Sequence, residues 1–182
     1  CCPSGSLSLR YGVDELKEIE AVVPEIEKAM RESAKRHLVM SEYSAGQFTE
    51  GDVNHPLANL CVPSANGDCE VIEPLSSIDY HSSTVKHEQS AVSALDFCYE
   101  IERDIHTGIS CFVLSGFLIE HCVAATALNL ASMLSGNTAE VVVCRDLVAS
   151  RAQKYLDGTV AQVERELCGK GVRFKSWSEI QP

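Results

Sequence analysis

The stretch Cys111-Phe-Val-Leu-Ser-Gly-Phe-Leu-Ile-Glu-His-Cys-Val-Ala-Ala-Thr-Ala127 decides how the rest of the chain is read. It opens on a short apolar run, Cys111 to Ser115, passes through a turn at Gly116, and continues from Glu120 to Leu134 in residues that favour a helix. A strand handing over to a helix through a short turn is the repeating unit of an α/β sheet. The unit recurs on both sides. Upstream, Ser83 to Lys86 reads as a strand and about Val92 to Asp104 as a helix; downstream, Glu140 to Cys144 reads as a strand, about Ala149 to Leu167 as a helix and Val172 to Lys175 as a strand. Such alternation predicts a mainly parallel sheet covered on both faces, because right-handed crossovers put the connecting helices into two layers.

The N-terminal part is less regular. Cys1 to Tyr11 reads as a polar loop. From Val13 to about Lys35, the residues Leu16, Ile19, Val22 or Val23, Ile26 and Met30 recur at steps of three and four, which marks one buried helical face that Pro24 is expected to kink or divide. His37 to Ser41 reads as a short buried strand. Residues 43–80 hold Gly46, Gly51, Pro56, Pro63, Gly67 and Pro74, and so read as a long irregular excursion with a brief strand near Glu70 to Ile72. Loops of that length in a compact domain commonly line a site. The expectation is one domain over residues 1–182, an α/β fold built as a three-layer α/β/α sandwich on an about six-stranded sheet.

Composition narrows the function classes. With 182 residues and 45% hydrophobic content the chain can bury one substantial core. A formal net charge of -11 opposes nucleic acid and anionic membranes as partners, since both are polyanions. No stretch approaches the roughly 18 consecutive apolar residues of a membrane span, and no basic-then-apolar leader opens the sequence, so a cytoplasmic protein is expected. Nine cysteines are an odd count, and Cys111 and Cys144 sit in apolar strand-like runs, which points to buried free thiols more than to a disulfide framework. No CxxC pair occurs, and the Cys61 to Cys69 spacing fits no common structural zinc motif, so no metal is expected. HExxH, GxSxG, P-loop and GxGxxG patterns are also absent.

Ligands of open parallel sheets bind outside the carboxyl ends of the strands. That rule selects Lys86, at the end of one strand, and the turn after Ser115-Gly116 that leads to Cys122. A thiol at the start of a helix meets unpaired N–H groups and the positive end of the dipole, which favours the reactive thiolate; the same N–H groups suit an oxyanion. Two plainer readings stand beside these: Cys122 as one more buried thiol, and Lys86 as a solvated strand end. His121 and His87 adjoin the two candidates, but neighbours on a helix point about 100° apart, so His121 is poorly placed as a base on Cys122. His55 and His81 lie in or near the excursion.

Phe112 to Ala127, followed by Val141-Val-Val-Cys-Arg-Asp-Leu-Val-Ala-Ser150, resembles the isochorismatase-like, nicotinamidase-related cysteine hydrolases. The shared features are an apolar strand, a glycine, an acidic residue two before Cys-Val, a following Thr-Ala, and a strand ending in Arg-Asp before small residues. Thr84-Val-Lys-His-Glu-Gln-Ser-Ala91 is similar to the family's lysine strand and serine turn, and Cys2-Pro-Ser-Gly-Ser-Leu7 to the segment trailing its first strand. The resemblance implies a triad of Asp, Lys and Cys. Lys86 and Cys122 carry over; the Asp, with the first strand, is expected upstream of Cys1, and Asp14, which falls after the matching segment, is not nominated. It also implies an oxyanion hole from the backbone of Leu118, Ile119 and Cys122. The usual metal ligands are missing from Ser41-Glu-Tyr-Ser-Ala-Gly-Gln-Phe48, and Leu60 precedes Cys61-Val62, which implies a metal-independent relative with no cofactor. The activity implied is hydrolysis of a small-molecule amide or related C–N bond through a thioester, with Tyr43 and Phe48 closing the pocket over the substrate. A vinyl-ether hydrolase and an inactive scaffold are the alternatives. A dimer or tetramer of identical chains is expected.

Overall fold

The computed structural model describes residues 6–48, 57–63 and 69–180. Five strands are present among them: β1 (His37–Ser41), β2 (Ser82–Lys86), β3 (Cys111–Phe117), β4 (Glu140–Ala149) and β5 (Arg173–Lys175). All pairings are parallel, β1 with β2 in one ladder and β3-β4-β5 in another, so the expected six-stranded sheet is resolved into a pair and a triplet.

Seven helices surround them: α1 (Ser6–Tyr11), α2 (Lys17–Glu32), α3 (Leu95–His106), α4 (Ala124–Met133), α5 (Ala152–Leu156), α6 (Thr159–Gly169) and α7 (Trp177–Ile180). Two hydrophobic clusters form. One gathers Leu7, Leu16, Ile19, Val22 and Ile26 with Cys144, Leu147 and Ala149 of β4; the other gathers Phe97 and Ile101 of α3, Ala127 and Leu130 of α4 and Leu167 of α6 with Val141, Val143 and Val148. Because β4 contributes to both, helices cover both of its faces, as the three-layer expectation requires.

Several boundaries differ from the sequence reading, each for a physical reason. Residues 6–11 form α1, although they read as a loop. The helix is too short to show a period, and it is held by burying Leu7 while Leu9 stays 79% exposed. Pro24 neither ends nor divides α2. Both Pro24 and Glu20, whose carbonyl loses its i+4 donor, lie on the exposed face, where that oxygen is open to solvent. No strand forms at Glu70–Ile72, where no neighbouring strand pairs with it. β4 runs on to Ala149 instead of stopping at Cys144. Its register against β3 jumps from Leu114↔Val143 to Gly116↔Val148, a bulge whose polar residues are tied down on the outside. There Arg145 Nη2 donates to Glu164 (2.6 Å), and Asp146 accepts from the Trp177 N–H (2.9 Å). The helix read from Ala149 onward is therefore two, α5 and α6, separated at Gly158, whose φ of 79° is a left-handed conformation costly for other residues.

A polar network closes the amino ends of β1 and β2. Asp104 of α3, 1% exposed, accepts from Lys35 and meets His37 Nε2 at 2.7 Å, and His37 Nδ1 bonds the Ser82 hydroxyl. Burial opposes the Asp104 charge, but the hydrogen bonds from Lys35 and His37 outweigh it and hold the carboxyl below its ordinary value of 3.8. A depressed carboxyl contributes stability above its unfolded value and loses it as pH falls through the folded one. Asp104→Asn is accordingly expected to lower unfolding free energy by about 3 kcal/mol at pH 7. In urea titrations the gap from wild type should narrow as pH falls below about 4.

Candidate active site

The carboxyl ends of β2 and β3 bring Lys86 and Cys122 together. Lys86 is the last residue of β2, and Cys122 sits in the five-residue π-helical turn Ile119–Val123 that joins the end of β3 to α4. The Lys86 Nζ lies 3.4 Å from the Cys122 Sγ. Lys86 is only 3% exposed, so the solvated strand-end reading is excluded. The turn is set by the chain around it. Gly116 supplies a φ of 110° at the strand end, Leu118 and Ile119 are buried, and the Leu118 carbonyl accepts from the N–H groups of His121 (3.2 Å) and Val123 (3.3 Å). The turn after β2 is joined to α4, since the Ala91 N–H donates to the Thr126 hydroxyl (3.0 Å).

A third side chain completes the cluster. Tyr43, just beyond β1, places its hydroxyl 2.8 Å from Lys86 Nζ and 3.3 Å from Cys122 Sγ. Lys86 donates to that oxygen, to the Glu88 carbonyl (2.7 Å) and to the sulfur, which employs all three ammonium protons. The phenolic proton is then left for the sulfur, so a thiolate at Cys122 would accept from Tyr43 and Lys86 together. Burial, followed by the neighbouring Cys122, pushes the Tyr43 phenol well above its ordinary range, and so keeps it a donor. Burial lowers Lys86, and the Cys122 sulfur partly opposes that shift. Among the described residues no carboxylate is within hydrogen-bonding distance of Cys122 or Lys86.

Tyr43→Phe keeps the ring and removes one donor to the sulfur. The rate of Cys122 alkylation by iodoacetamide at pH 7 is expected to drop roughly three- to tenfold, corresponding to a hydrogen bond of about 1 kcal/mol. Peptide mass spectrometry of the modified protein reads this directly.

The excursion folds back onto the site. The Tyr43 N–H donates to the Cys61 carbonyl (2.8 Å), and Leu57, Leu60 and Cys61 join the cluster that buries Tyr43. A cleft of about 380 Å³ opens beside Tyr43, walled by Ser44, Ala45, Val62, Pro63 and His87. Phe48 meets the Tyr43 ring edge-on, with centroids 4.8 Å apart, and is not among the side chains walling that cleft. His87 is held by the Glu42 carbonyl (2.8 Å). His81, which accepts from the Arg36 N–H (3.3 Å), sits before the start of β2, at the opposite end of that strand from Lys86. His55 lies outside the described residues. No sequence signal ties Tyr43 to Cys122, since 79 positions separate them; only the tertiary fold makes them neighbours.

The arrangement is a parallel α/β sandwich with a cysteine and a lysine converging at the carboxyl ends of its strands. Its fold is that of isochorismatase-like hydrolases and nicotinamidases. No protein-family model matches the chain, and no curated protein is similar to it. Solved structures do match. An Acinetobacter baumanii nicotinamidase superposes with a TM-score of 0.66 at 16% identity, over 92% of this chain and 93% of that one. An isochorismatase-like hydrolase from Alkaliphilus metalliredigens gives 0.64 at 16% identity, over 90% and 84%. A pyrazinamidase/nicotinamidase from Streptococcus mutans gives 0.57 at 19% identity, over 87% of each chain. The fold expectation and the resemblance drawn from Phe112–Ala127 thus agree with the three-dimensional comparison.

Proposed function

We propose that this chain is a hydrolase of the isochorismatase-like type that cleaves a small-molecule amide or related C–N bond, with Cys122 as nucleophile. The observation that carries the reading is the buried Lys86–Tyr43–Cys122 cluster, in which two donors converge on one sulfur at the ligand-binding edge of the sheet. The thiolate adds to the substrate carbonyl carbon, and the resulting oxyanion is met by backbone N–H groups of Leu118, Ile119 and Cys122. Collapse of that adduct breaks the C–N bond, the amine leaves with a proton, and water hydrolyses the thioester to release the acid. The thiol proton released on attack departs on the amine, and the resemblance implies an Asp as its carrier. The cleft beside Tyr43 is the substrate entrance in this reading. Metal independence is part of the proposal and rests on Ser41–Phe48 lacking the Asp-x-His pair that the resemblance leads one to look for there. No helix among the described residues is long and apolar enough to cross a membrane. Seven free thiols there support a reducing, cytoplasmic setting.

The test is ammonia release from a panel of small primary amides, run beside loss of an enol ether, on this chain and on one extended upstream. Ammonia release that survives chelation and is abolished by iodoacetamide supports the reading. Loss of the enol ether alone moves the function to vinyl-ether cleavage. Inertness of both chains towards every substrate, with Cys122 no more reactive than the other thiols, leaves a scaffold protein.

A further inference from the structure

The polar network at the amino ends of β1 and β2 joins a hydroxyl, an imidazole and a carboxylate in series. Ser82 opens β2, His37 opens β1 directly opposite it, and Asp104 comes from α3. The His37 ring lies between the other two, with Nδ1 on the Ser82 hydroxyl and Nε2 2.7 Å from Asp104 Oδ2. These partners stand 45 and 67 positions from His37 in the chain, so the fold alone assembles them.

The proton positions follow from the acid. Lys35 donates to the other Asp104 oxygen, Oδ1, and an ionised carboxylate only accepts. A neutral His37 therefore carries its proton on Nε2 and turns the bare Nδ1 to Ser82. The Ser82 hydroxyl must then be the donor of that bond, which is the arrangement a base-activated nucleophile needs. Either ring nitrogen can act as the base when the other is held by a carboxylate. Ser82 is partly exposed, whereas Asp104 is 1% exposed and the His37 side chain 15%, so the hydroxyl stands nearest solvent with its base sheltered behind it.

We propose that Ser82 is a second nucleophile of this protein, with His37 as its base and Asp104 as the positioning residue, and that its substrates are small activated acyl esters. Ser82 Oγ adds to the ester carbonyl as its proton passes to His37 Nδ1; the bond from the acyl carbon to the aryloxide oxygen breaks, and the imidazolium returns a proton to the leaving group. Water then gives a proton to the same nitrogen and attacks the acyl-serine, releasing the acid while His37 hands that proton back to Ser82. An ester is favoured over an amide because an aryloxide leaves without prior protonation. Ser82 and Lys86 stand at opposite ends of β2, about 13 Å apart along the strand, so the inference does not depend on the reading of the Cys122 cluster.

The experiment labels the full chain carrying Cys122→Ala, so that this thiol does not consume the probe, with p-nitrophenyl acetate and separately with an alkyl phosphonofluoridate, from which Ser82 Oγ would displace fluoride. Fragmentation of the modified peptide locates the label, and Ser83, exposed on the same peptide, is the internal reference. Ser82 is expected to be modified roughly a hundredfold faster than Ser83, the lower end of what a positioned base supplies. Ser82→Ala should remove the label without transferring it to Ser83. His37→Ala should slow labelling roughly a hundredfold, and added imidazole should restore part of it, which a merely structural histidine would not show. Equal labelling of Ser82 and Ser83, no labelling of Ser82 by either probe, labelling undiminished in His37→Ala, or a loss there that imidazole does not restore would each overturn the proposal. The first two are read with His37 in place, and so decide the matter even if His37→Ala fails to fold.

Discussion

Cys122→Ala is expected to reduce hydrolysis to background, a loss on the order of 10⁴-fold or more, since nothing else in the cluster forms a covalent bond to carbon. The same substitution should remove the fast-alkylating thiol from the intact protein. The other cysteines make poor substitutes. Burial raises Cys98 and Cys111, and burial with a hydrogen bond to Asp146 pushes Cys144 up to about 12. Cys168 is exposed and serves as the internal reference. Peptide-resolved alkylation at pH 7 in wild type should therefore modify the Cys122 peptide ahead of the Cys168 peptide. Equal rates for the two would count against an activated nucleophile.

Lys86→Met is expected to move activity and stability in opposite directions. Met keeps most of the volume and removes the charge, so the sulfur loses its cationic donor and the Tyr43 oxygen loses the proton it accepts at 2.8 Å. Alkylation of Cys122 at pH 7 should slow roughly tenfold, the equivalent of about 1.4 kcal/mol. Turnover should fall further, by roughly 10²- to 10³-fold, because the base and the oxyanion chemistry depend on the same charge balance. Burial depresses Lys86 below its ordinary 10.5, with the Cys122 sulfur acting the other way. A lysine depressed in the folded state binds fewer protons there than when unfolded, so its ionisation works against folding until pH rises past the unfolded value. Removing that buried charge is therefore expected to raise stability by about 1 kcal/mol in urea unfolding at pH 7. A variant that loses both activity and stability would mean that Lys86 is chiefly a structural tie between Tyr43 and the Glu88 carbonyl.

Periodic burial made much of this fold legible in the sequence. Ile19, Val22 and Ile26 mark α2, and all are buried; Val141 and Val143 mark β4, and both are buried. Strand alternation with helices placed Lys86 and Cys122 at one edge without any contact being known. The misread segments are those where tertiary contacts override local signals. Leu7 holds a helix of 6 residues that has no readable period. Arg145 and Asp146 read as the end of a strand, but they are the outside of a bulge tied to Glu164 and Trp177.

The sequence by itself determined the layer architecture and the two residues that define the candidate site, because hydrophobic period and the sheet-edge rule are local consequences of burial. Only the tertiary structure decided that Lys86 is buried and that Tyr43 bridges it to Cys122. These are distances between segments far apart in the chain, fixed by crossovers and by packing that satisfies buried polar groups.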